Sequence, residues 1–306
     1  MRISATINTV STLKDYTEEF LLFKSSKGIA DLTMRDYRRT FDDFLSVSSN
    51  STDYKTLKNE VGMFFNSIPN TSSAVYNRPY SYLSAFFNWM VKQEHLPKNP
   101  IKDLELTKRK ENLTIHSASI EDVEKLLKAC NRRTFTGLRN YTLILVMIDT
   151  GIRTSELCRL EREDYFPENK SLAIPANKAK TKQARNVYLS DATVISLNKY
   201  LKYLPKEVNY IFPSCEANML TTGKLDKAFR KLCDEAGVKI TPYQLRHSFA
   251  TYWVKDGGNL FVLQKLMGHS RLSMTMRYTD IDEGQKQEQH SHFSPVNKIG
   301  ADKRLR

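Results

Sequence analysis

Apolar residues recur at helical spacing through the first hundred residues of the chain. The spacing predicts four helices, at residues 16–24, 32–45, 57–67 and 79–93. In the second helix, Tyr37, Phe41 and Phe44 fall at positions i, i+4 and i+7. Pro79 is tolerated in a first helical turn, so we begin the fourth helix there; an earlier start would put a kink at this proline. No strand pattern interrupts the region, which predicts a four-helix unit.

The pattern changes in the second part of the chain. Ser119 ahead of two acidic residues marks a helix start, and the helical period continues to residue 161. Short runs typical of strands follow at residues 164–166, 171–176 and 185–190. The helical period returns from residue 191 onward. The expected fold class is therefore mainly α with a small antiparallel β-sheet (α+β).

A polar segment separates the two parts. The prolines at 97 and 100 end the fourth helix, and the basic stretch 106–112 has little to bury. An interdomain linker and an ordinary surface loop are almost equally well supported. We predict a helical domain at residues 1–105, a linker at 106–118 and a second domain at 119–306, the last ending in a polar tail. A length of 306 residues suits two domains.

Composition excludes several classes of protein. No run approaches the ~18 apolar residues of a membrane span, and the N-terminal segment lacks the apolar core of a secretory leader. The four cysteines are scattered without a C-x-x-C pair, so neither a disulfide framework nor a zinc site is expected. The six histidines lack H-E-x-x-H spacing. We expect no metal and no cofactor, and a reducing cytoplasm fits the cysteine usage.

The charge balance points toward nucleic acid. The net charge is +13 and the pI about 9.4, values typical of nucleic-acid-binding proteins. On charge alone, a merely soluble basic protein is equally well supported. The excess lies in residues 117–306, which hold 31 basic and 21 acidic side chains.

Two segments place an arginine at a helix end. In DTGIRTSEL, Gly151 can end a helix in a left-handed cap and Thr154 or Ser155 can cap the next, which leaves the Arg153 guanidinium free to meet an anion. The alternative is a surface arginine in a turn. In TPYQLRHSFAT, the first four residues form a capping box with proline at the first helical position.

The second of these segments places two polar side chains near the N-terminus of its helix. Tyr243 and Arg246 are three residues apart and are expected to share a face near that end, which favours phosphate. The alternative, an ordinary capped core helix with a surface arginine, is about equally well supported on this motif alone.

Two further segments carry reactive side chains. In MGHSRLSMTMRY, Gly268 ends a helix, His269 lies in the turn, Ser270 can cap the next helix and Tyr278 follows. Taken alone, this histidine and this tyrosine are ordinary structural residues. The loop at residues 177–185 holds three lysines, which fit either a solvated hairpin tip or a mobile lysine that delivers a charge or a proton to phosphate.

Together, the order Arg, Lys, Tyr-x-x-Arg, Gly-His, Tyr resembles the tyrosine recombinase (phage integrase) family, which includes the Xer, Cre and lambda-type enzymes. TGIRTSEL resembles the arginine box, YQLRHSFAT the second box and MGHSRLSMTMRY the third. The resemblance implies a helical core-binding (SAM-like) DNA-binding domain followed by a catalytic domain. By the same resemblance, Arg153 and Arg246 clamp the scissile phosphate, His269 also bonds it, and Tyr278 is the nucleophile. His269 is also a candidate to assist proton transfer from Tyr278.

Three further positions match the family pattern less directly. Aligning residues 185–189 with the third strand of the family favours Lys180 as the catalytic lysine, a general acid, while Lys178 and Lys182 stay open. Glu156 matches an acidic position that supports the arginines. The family most often has histidine where this chain has Tyr243. A phenol, with an ordinary pKa of ~10, is a poor base but a good donor, so we predict that it donates to a phosphate oxygen or positions the nucleophile.

The resemblance implies a site-specific DNA recombinase that works through a 3′-phosphotyrosine intermediate and a Holliday junction. Its expected partners are double-stranded DNA, a homo-tetramer on two DNA sites (monomer or dimer when free) and possible accessory DNA-bending proteins, with no membrane. Two alternatives stay open: a type IB topoisomerase-like enzyme that relaxes DNA, and a non-catalytic DNA-binding protein of the same fold. Integrases, resolvases, transposon recombinases and chromosome-dimer resolvases share these boxes.

Overall fold

The computed structural model describes residues 11–110, 117–279 and 283–299. The chain divides into two compact units, residues 1–113 and 114–306. Helices dominate both, and the described strands form one small antiparallel sheet, which confirms the predicted fold class.

Helices packed around aromatic side chains make up the first unit. They are α1 (Leu13–Ser26), α2 (Asp31–Leu45), α3 (Tyr54–Ser67), α4 (Ser73–Lys92) and the single turn α5 (Pro100–Asp103). Phe20 lies at the centre of the core, with its ring 5.5 Å from that of Tyr37, 5.9 Å from that of Phe41 and 5.5 Å from that of Phe86. The four predicted helices are therefore present, with one short helix added.

The start predicted for the fourth helix is wrong. α4 begins at Ser73, where the Ser72 hydroxyl accepts a hydrogen bond from the backbone N–H of Val75, and Pro79 lies inside the helix. The ring of proline removes one helical hydrogen bond. Tyr76 and Asn77 are both buried on the turn before the proline, and this packing keeps the turn helical.

Part of the polar segment packs on the first unit. The guanidinium of Arg109 lies 4.1 Å from the centre of the Tyr76 ring, and Asn77 exchanges two hydrogen bonds of 2.9 Å with the backbone of Arg109. Leu106 packs against the aromatic core. The middle of the predicted linker, residues 111–116, lies outside the described residues.

The second unit surrounds a separate aliphatic core. Its helices are α6 (Ile120–Ala129), α7 (Phe135–Thr150), α8 (Thr154–Leu157), α9 (Asp191–Tyr203), α10 (Thr222–Ala236), α11 (Pro242–Lys255), α12 (Leu260–Met267), α13 (Leu272–Thr275), α14 (Glu283–Phe293) and α15 (Val296–Ile299). The antiparallel sheet runs in the order β1 (Tyr165–Phe166), β2 (Ser171–Ile174) and β3 (Arg185–Tyr188). Leu172 faces Val187 in the register, and both are fully buried.

The ends of three helices lie next to the candidate site residues Arg153, Arg246 and His269. α7 packs against α9 and α11, and it ends at Gly151 in the left-handed conformation, with φ of 60°. α12 ends in the same way at Gly268, with φ of 62°. α11 begins at Thr241 with the predicted capping box, in which the Gln244 side chain returns the bond. These three predictions are confirmed.

Replacing Gly151 by alanine should destabilise the protein more than the same change at Gly237. Both glycines end helices with positive φ, which costs alanine ~1–2 kcal/mol. A Cβ at Gly151 would also collide with the Phe249 ring, whereas nothing lies within 4 Å of one at Gly237. We expect an additional loss of ~1–3 kcal/mol in the free energy of unfolding for Gly151→Ala, measured by urea denaturation. Equal losses in the two variants would contradict this packing.

Candidate active site

Arg153 lies at the junction between α7 and α8. Its Nη1 donates to Glu156 Oε1 at 3.1 Å, and its Nη2 donates to the carbonyl oxygen of Gly268 at 2.9 Å. The predicted caps at Thr154 and Ser155 are wrong, because Arg153 itself occupies the cap position and its N–H donates to the Glu156 carboxylate. The side chain is 15% exposed. It is therefore held by the protein while staying partly exposed.

Glu156 bonds two arginines of the site, Arg153 and Arg185. Its side chain is fully buried and accepts hydrogen bonds from Arg153, from both Nη atoms of Arg185, at 2.6 and 3.1 Å, and from the backbone N–H of Lys180. Burial alone would raise its pKa, but the hydrogen bonds and charge of Arg185 and the charge of Arg153 hold the pKa of this carboxyl below its ordinary value. One ionised carboxylate thus joins the arginine of the α7–α8 junction to the β2–β3 loop.

The sequence reasoning gave Arg185 no role of its own. Besides its bonds to Glu156, its Nε donates to the carbonyl oxygen of Leu266 at 2.8 Å, which ties β3 to the end of α12. The only available signal was its position at the start of a strand directly after the lysine loop.

Arg246 points into the protein from α11. It is 5% exposed, whereas Tyr243, one turn earlier, is 64% exposed, so the alternative of a surface arginine is wrong. Arg246 is the fifth residue of α11, and its guanidinium donates to the carbonyl oxygens of Gly151 and Met267. These carbonyls lie at the C-terminal ends of α7 and α12, where the helix dipole favours a cation. Burial and the charge of Arg153 lower the pKa of Arg246 to about 9, so it stays charged at neutral pH.

His269 lies directly beyond α12 and contacts Arg246. Its Nε2 is 3.0 Å from Nη2 of Arg246, and its Nδ1 is 2.9 Å from the hydroxyl of Thr275. Since a guanidinium can only donate, Nε2 is the acceptor and Nδ1 carries the proton. Burial and the charges of Arg246 and Arg153 lower the pKa of His269 to about 4. The predicted cap at Ser270 is wrong, because Arg271 takes the cap position of α13 without a side-chain bond.

Tyr278 lies in a 3₁₀ turn (Met276–Tyr278) beside α11. Its hydroxyl is 2.7 Å from Nδ1 of His247, a residue to which the sequence reasoning gave no role. Burial raises the pKa of Tyr278 to about 12, although the charge of Arg246 opposes that rise. The ring of Tyr243 packs edge-on against His247, with ring centres 4.2 Å apart. One turn of α11 therefore presents both an arginine and a histidine to this tyrosine.

The three candidate lysines have different surroundings. The ammonium of Lys178 is paired with Glu161 at 2.6 Å and Asp164 at 2.7 Å, and these bonds raise its pKa although burial opposes the rise. The side chains of Lys180 and Lys182 are exposed. The loop is nevertheless anchored, because the backbone N–H of Lys180 donates to Glu156.

The described part of the chain holds neither a metal cluster nor a membrane-spanning helix. It contains no group of three or more His, Cys, Asp or Glu side chains placed to hold a metal ion. None of its helices is both long enough and apolar enough to cross a membrane.

The pH dependence of stability should depend on Glu156. Its lowered pKa means that the ionised form stabilises the fold above the unfolded pKa of ~4.3, and that this contribution disappears as the pH falls through the folded pKa. Removing one partner of a buried ion pair costs ~3–5 kcal/mol. We expect Glu156→Gln to lower the free energy of unfolding by that amount at pH 7, with a smaller deficit in acid, measured by urea denaturation across pH.

The exposed pair of Glu216 and Lys224 provides the control. Their side chains are 69% and 54% exposed, so Glu216→Gln should cost less than ~1 kcal/mol. A deficit in Glu156→Gln that does not change with pH would contradict an ionised role for this carboxylate.

Comparison with known proteins agrees with this geometry. The model of the phage integrase family matches residues 119–285. Tyrosine recombinase XerD of Listeria monocytogenes serotype 4b is 28% identical over 299 residues, covering 92% of this chain and 99% of that protein. Tyrosine recombinase XerC of Thermodesulfovibrio yellowstonii is 26% identical over 288 residues, covering 90% and 94%.

Solved structures share the fold. The Tn1549 transposon integrase in complex with transposon right end DNA gives a TM-score of 0.76 at 17% identity, covering 93% of this chain and 100% of that one. A lambda integrase tetramer bound to a Holliday junction gives 0.71 at 19% identity, covering 90% and 82%. Because the family model spans more than half of the 306 residues, this chain belongs to the phage integrase family of tyrosine recombinases.

Proposed function

We propose that this protein is a site-specific DNA recombinase that cuts and rejoins DNA strands through a 3′-phosphotyrosine intermediate. The observation that carries the proposal is the position of Tyr278, whose hydroxyl lies in the field of two arginines, Arg246 and Arg153. A phenol, two guanidinium groups and an imidazole in one place fit attack on an anionic phosphodiester, for which neutralisation of the developing charge is the main requirement.

The arginines hold the scissile phosphate. A guanidinium has five N–H donors, and the bonds described above use two of those on Arg153 and three of those on Arg246. The remaining donors are available to phosphate oxygens, and each preorganised donor is worth ~2.7–4 kcal/mol in the transition state. Since the protein already orders both side chains, little reorganisation is needed when DNA binds.

Covalent chemistry then proceeds without an external energy source. The Tyr278 oxygen attacks phosphorus and the 5′-oxygen leaves, with Lys180 as the general acid that protonates it. The new ester conserves the bond energy of the old one, so the reverse reaction with another 5′-hydroxyl rejoins the strand. Neither ATP nor a metal ion or other cofactor takes part in this scheme.

His269 and Tyr243 complete the proposed site. His269 bonds the phosphate through Nε2, which requires it to gain a proton there, and the negative charge of the phosphate favours that gain. Tyr243 is exposed and stands edge-on to His247, a contact that supports a positioning role for this residue; its exposed hydroxyl also suits donation to a phosphate oxygen.

The same proposal includes the domains, the DNA substrate and the partners of the protein. Residues 1–105 form a helical DNA-binding domain joined through a linker at 106–118 to the catalytic domain at 119–306. The protein acts on double-stranded DNA in the cytoplasm as a homo-tetramer on two sites, passing through a Holliday junction, with accessory DNA-bending proteins where a site requires them. The segment after Tyr278 docks on a neighbouring protomer and gives cyclic contacts. A mobile element is one setting that suits such an enzyme.

Covalent trapping tests the reaction. The protein is incubated with fragmented DNA from its source, quenched with SDS, and the attached DNA is sequenced, with Tyr278→Phe in parallel. We expect adducts at a few shared sites with the wild type and none with the variant, because phenylalanine has no attacking oxygen. Scattered adducts would instead indicate a DNA-relaxing enzyme, and DNA binding without adducts would indicate a binding protein.

Lysine variants test the general acid. We expect Lys180→Ala to slow covalent-complex formation by ~10²–10⁴-fold, since an alkoxide leaves poorly without a proton. Lys182→Ala is the matched control from the same loop and should stay close to wild type. Lys178→Ala should instead lower stability, because it leaves the buried Asp164 unpaired.

A modified DNA substrate tests whether Lys180 protonates the leaving 5′-oxygen. Sulfur in place of the bridging 5′-oxygen leaves as a thiolate without protonation, so the Lys180→Ala deficit should disappear on such DNA. A slow rate in Lys182→Ala would contradict the assignment of Lys180. A slow rate in Lys180→Ala that the sulfur substrate does not restore would contradict it as well.

A further inference from the structure

The hydroxyl of Tyr278 has one hydrogen-bond partner among the described residues, and that partner is an imidazole nitrogen. Nδ1 of His247 lies 2.7 Å from the phenolic oxygen, well within the distance for direct proton transfer. The two residues are held by different elements, α11 and the 3₁₀ turn that follows α13, which pack against each other. The contact is therefore part of the tertiary structure and does not arise from neighbours along the chain.

The other residues that could take this proton are already committed or lack basicity. In His269, Nε2 faces Arg246 and Nδ1 is bonded to Thr275, and neither nitrogen has a hydrogen bond to Tyr278. Tyr243 carries a phenol, and its ring contacts His247 without a hydrogen bond to Tyr278. Of the described imidazoles at this site, only that of His247 has a nitrogen within hydrogen-bond distance of the Tyr278 hydroxyl.

The ring of His247 is also held in place. Tyr243 precedes it by one helical turn and packs edge-on against it, at an interplanar angle of 89°. The ring of Tyr278 approaches from another side, with ring centres 5.5 Å apart. These contacts limit rotation of the imidazole and keep Nδ1 directed at the hydroxyl.

The surrounding charges couple this base to the substrate. The groups that face His247 are Arg246 and Tyr243 on its own helix, Arg277 and Tyr278 on the 3₁₀ turn, and His269. Burial and the charges of the two arginines lower the pKa of His247 to about 4, so the unprotonated form prevails at neutral pH. A bound phosphodiester would offset these positive charges and strengthen the base where it is needed.

Resting on the recombinase function proposed above, we propose that His247 is a catalytic residue that accepts the proton of the Tyr278 hydroxyl during strand cleavage. The proton moves to Nδ1 as the oxygen–phosphorus bond forms, and the bond from phosphorus to the 5′-oxygen breaks. During rejoining, the imidazolium returns the proton to the departing tyrosine oxygen. In this chain, a histidine one turn further along α11 supplies the basic nitrogen that Tyr243 lacks.

The test measures single-turnover formation of the covalent complex on a DNA site recovered by trapping with the wild type. His247→Asn keeps a polar atom near the Nδ1 position but cannot accept a proton. We expect its rate at pH 7 to fall by ~10²–10⁴-fold and to rise about tenfold per pH unit between pH 6 and 9, because only the phenolate of Tyr278 then attacks. The wild-type rate should change much less over this range.

Two comparisons separate this role from others. A 5′-bridging sulfur should leave the His247→Asn deficit unchanged, in contrast to the deficit of Lys180→Ala. His269→Asn should be slow without the steep pH dependence, because it loses a phosphate contact only. A wild-type rate in His247→Asn, a deficit with a wild-type pH profile, or relief by sulfur would each overturn the assignment. Failure of the wild type to form any adduct would instead refute the recombinase function, and the inference with it.

A measurement without DNA covers the case in which the variant does not fold. In the full-length protein labelled with ¹⁵N-histidine, Tyr278→Phe removes the hydroxyl that contacts Nδ1 of His247. We expect the Nδ1 resonance of His247 to shift, while the ring resonances of His95, in the first unit, stay in place. An unchanged His247 spectrum would show that the contact is absent in solution and would overturn the inference.

Discussion

The candidate active site depends on holding three guanidinium groups close together with only one carboxylate bonded to two of them. Arg153 and Arg185 share the buried Glu156, while Arg246 relies on backbone carbonyls at the ends of α7 and α12. Helix C-termini and one ionised side chain face three positive charges, and burial together with the charge of Arg153 lowers the pKa of Arg246. The fold therefore holds an uncompensated positive site, and a bound phosphate anion would relieve it.

Local signals in the sequence predicted most of the elements. The helical spacing, the short runs typical of strands, the left-handed ends at Gly151 and Gly268 and the capping box at Thr241 all depend on residues close together in the chain. The errors arose where tertiary packing decided. Burial keeps the turn before Pro79 helical, and the carbonyls of Gly151 and Met267 hold Arg246 inside the protein, where the sequence had left a surface arginine open.

The site was predictable only in part for the same reason. Family boxes identified the positions of the arginines and the tyrosine, but they carry no information about which side chains meet. Tyr278 and His247 are 31 residues apart, and Glu156 and Arg185 are 29 apart. No periodicity connects such positions, so the base and the second arginine on the carboxylate became visible only when α11, β3 and the turn after α13 were placed together.

Gly268 shows how a residue without a side chain can control this chemistry. Its carbonyl oxygen accepts from Arg153, and a Cβ there would lie 3.0 Å from the guanidinium carbon of Arg185. Laboratory evolution toward new DNA targets explores many positions at once, and a change at this glycine would register as a catalytic defect although no reacting group was altered. Mutant libraries should therefore keep this position constant, and a natural variant at it should be judged by strand cleavage as well as by folding.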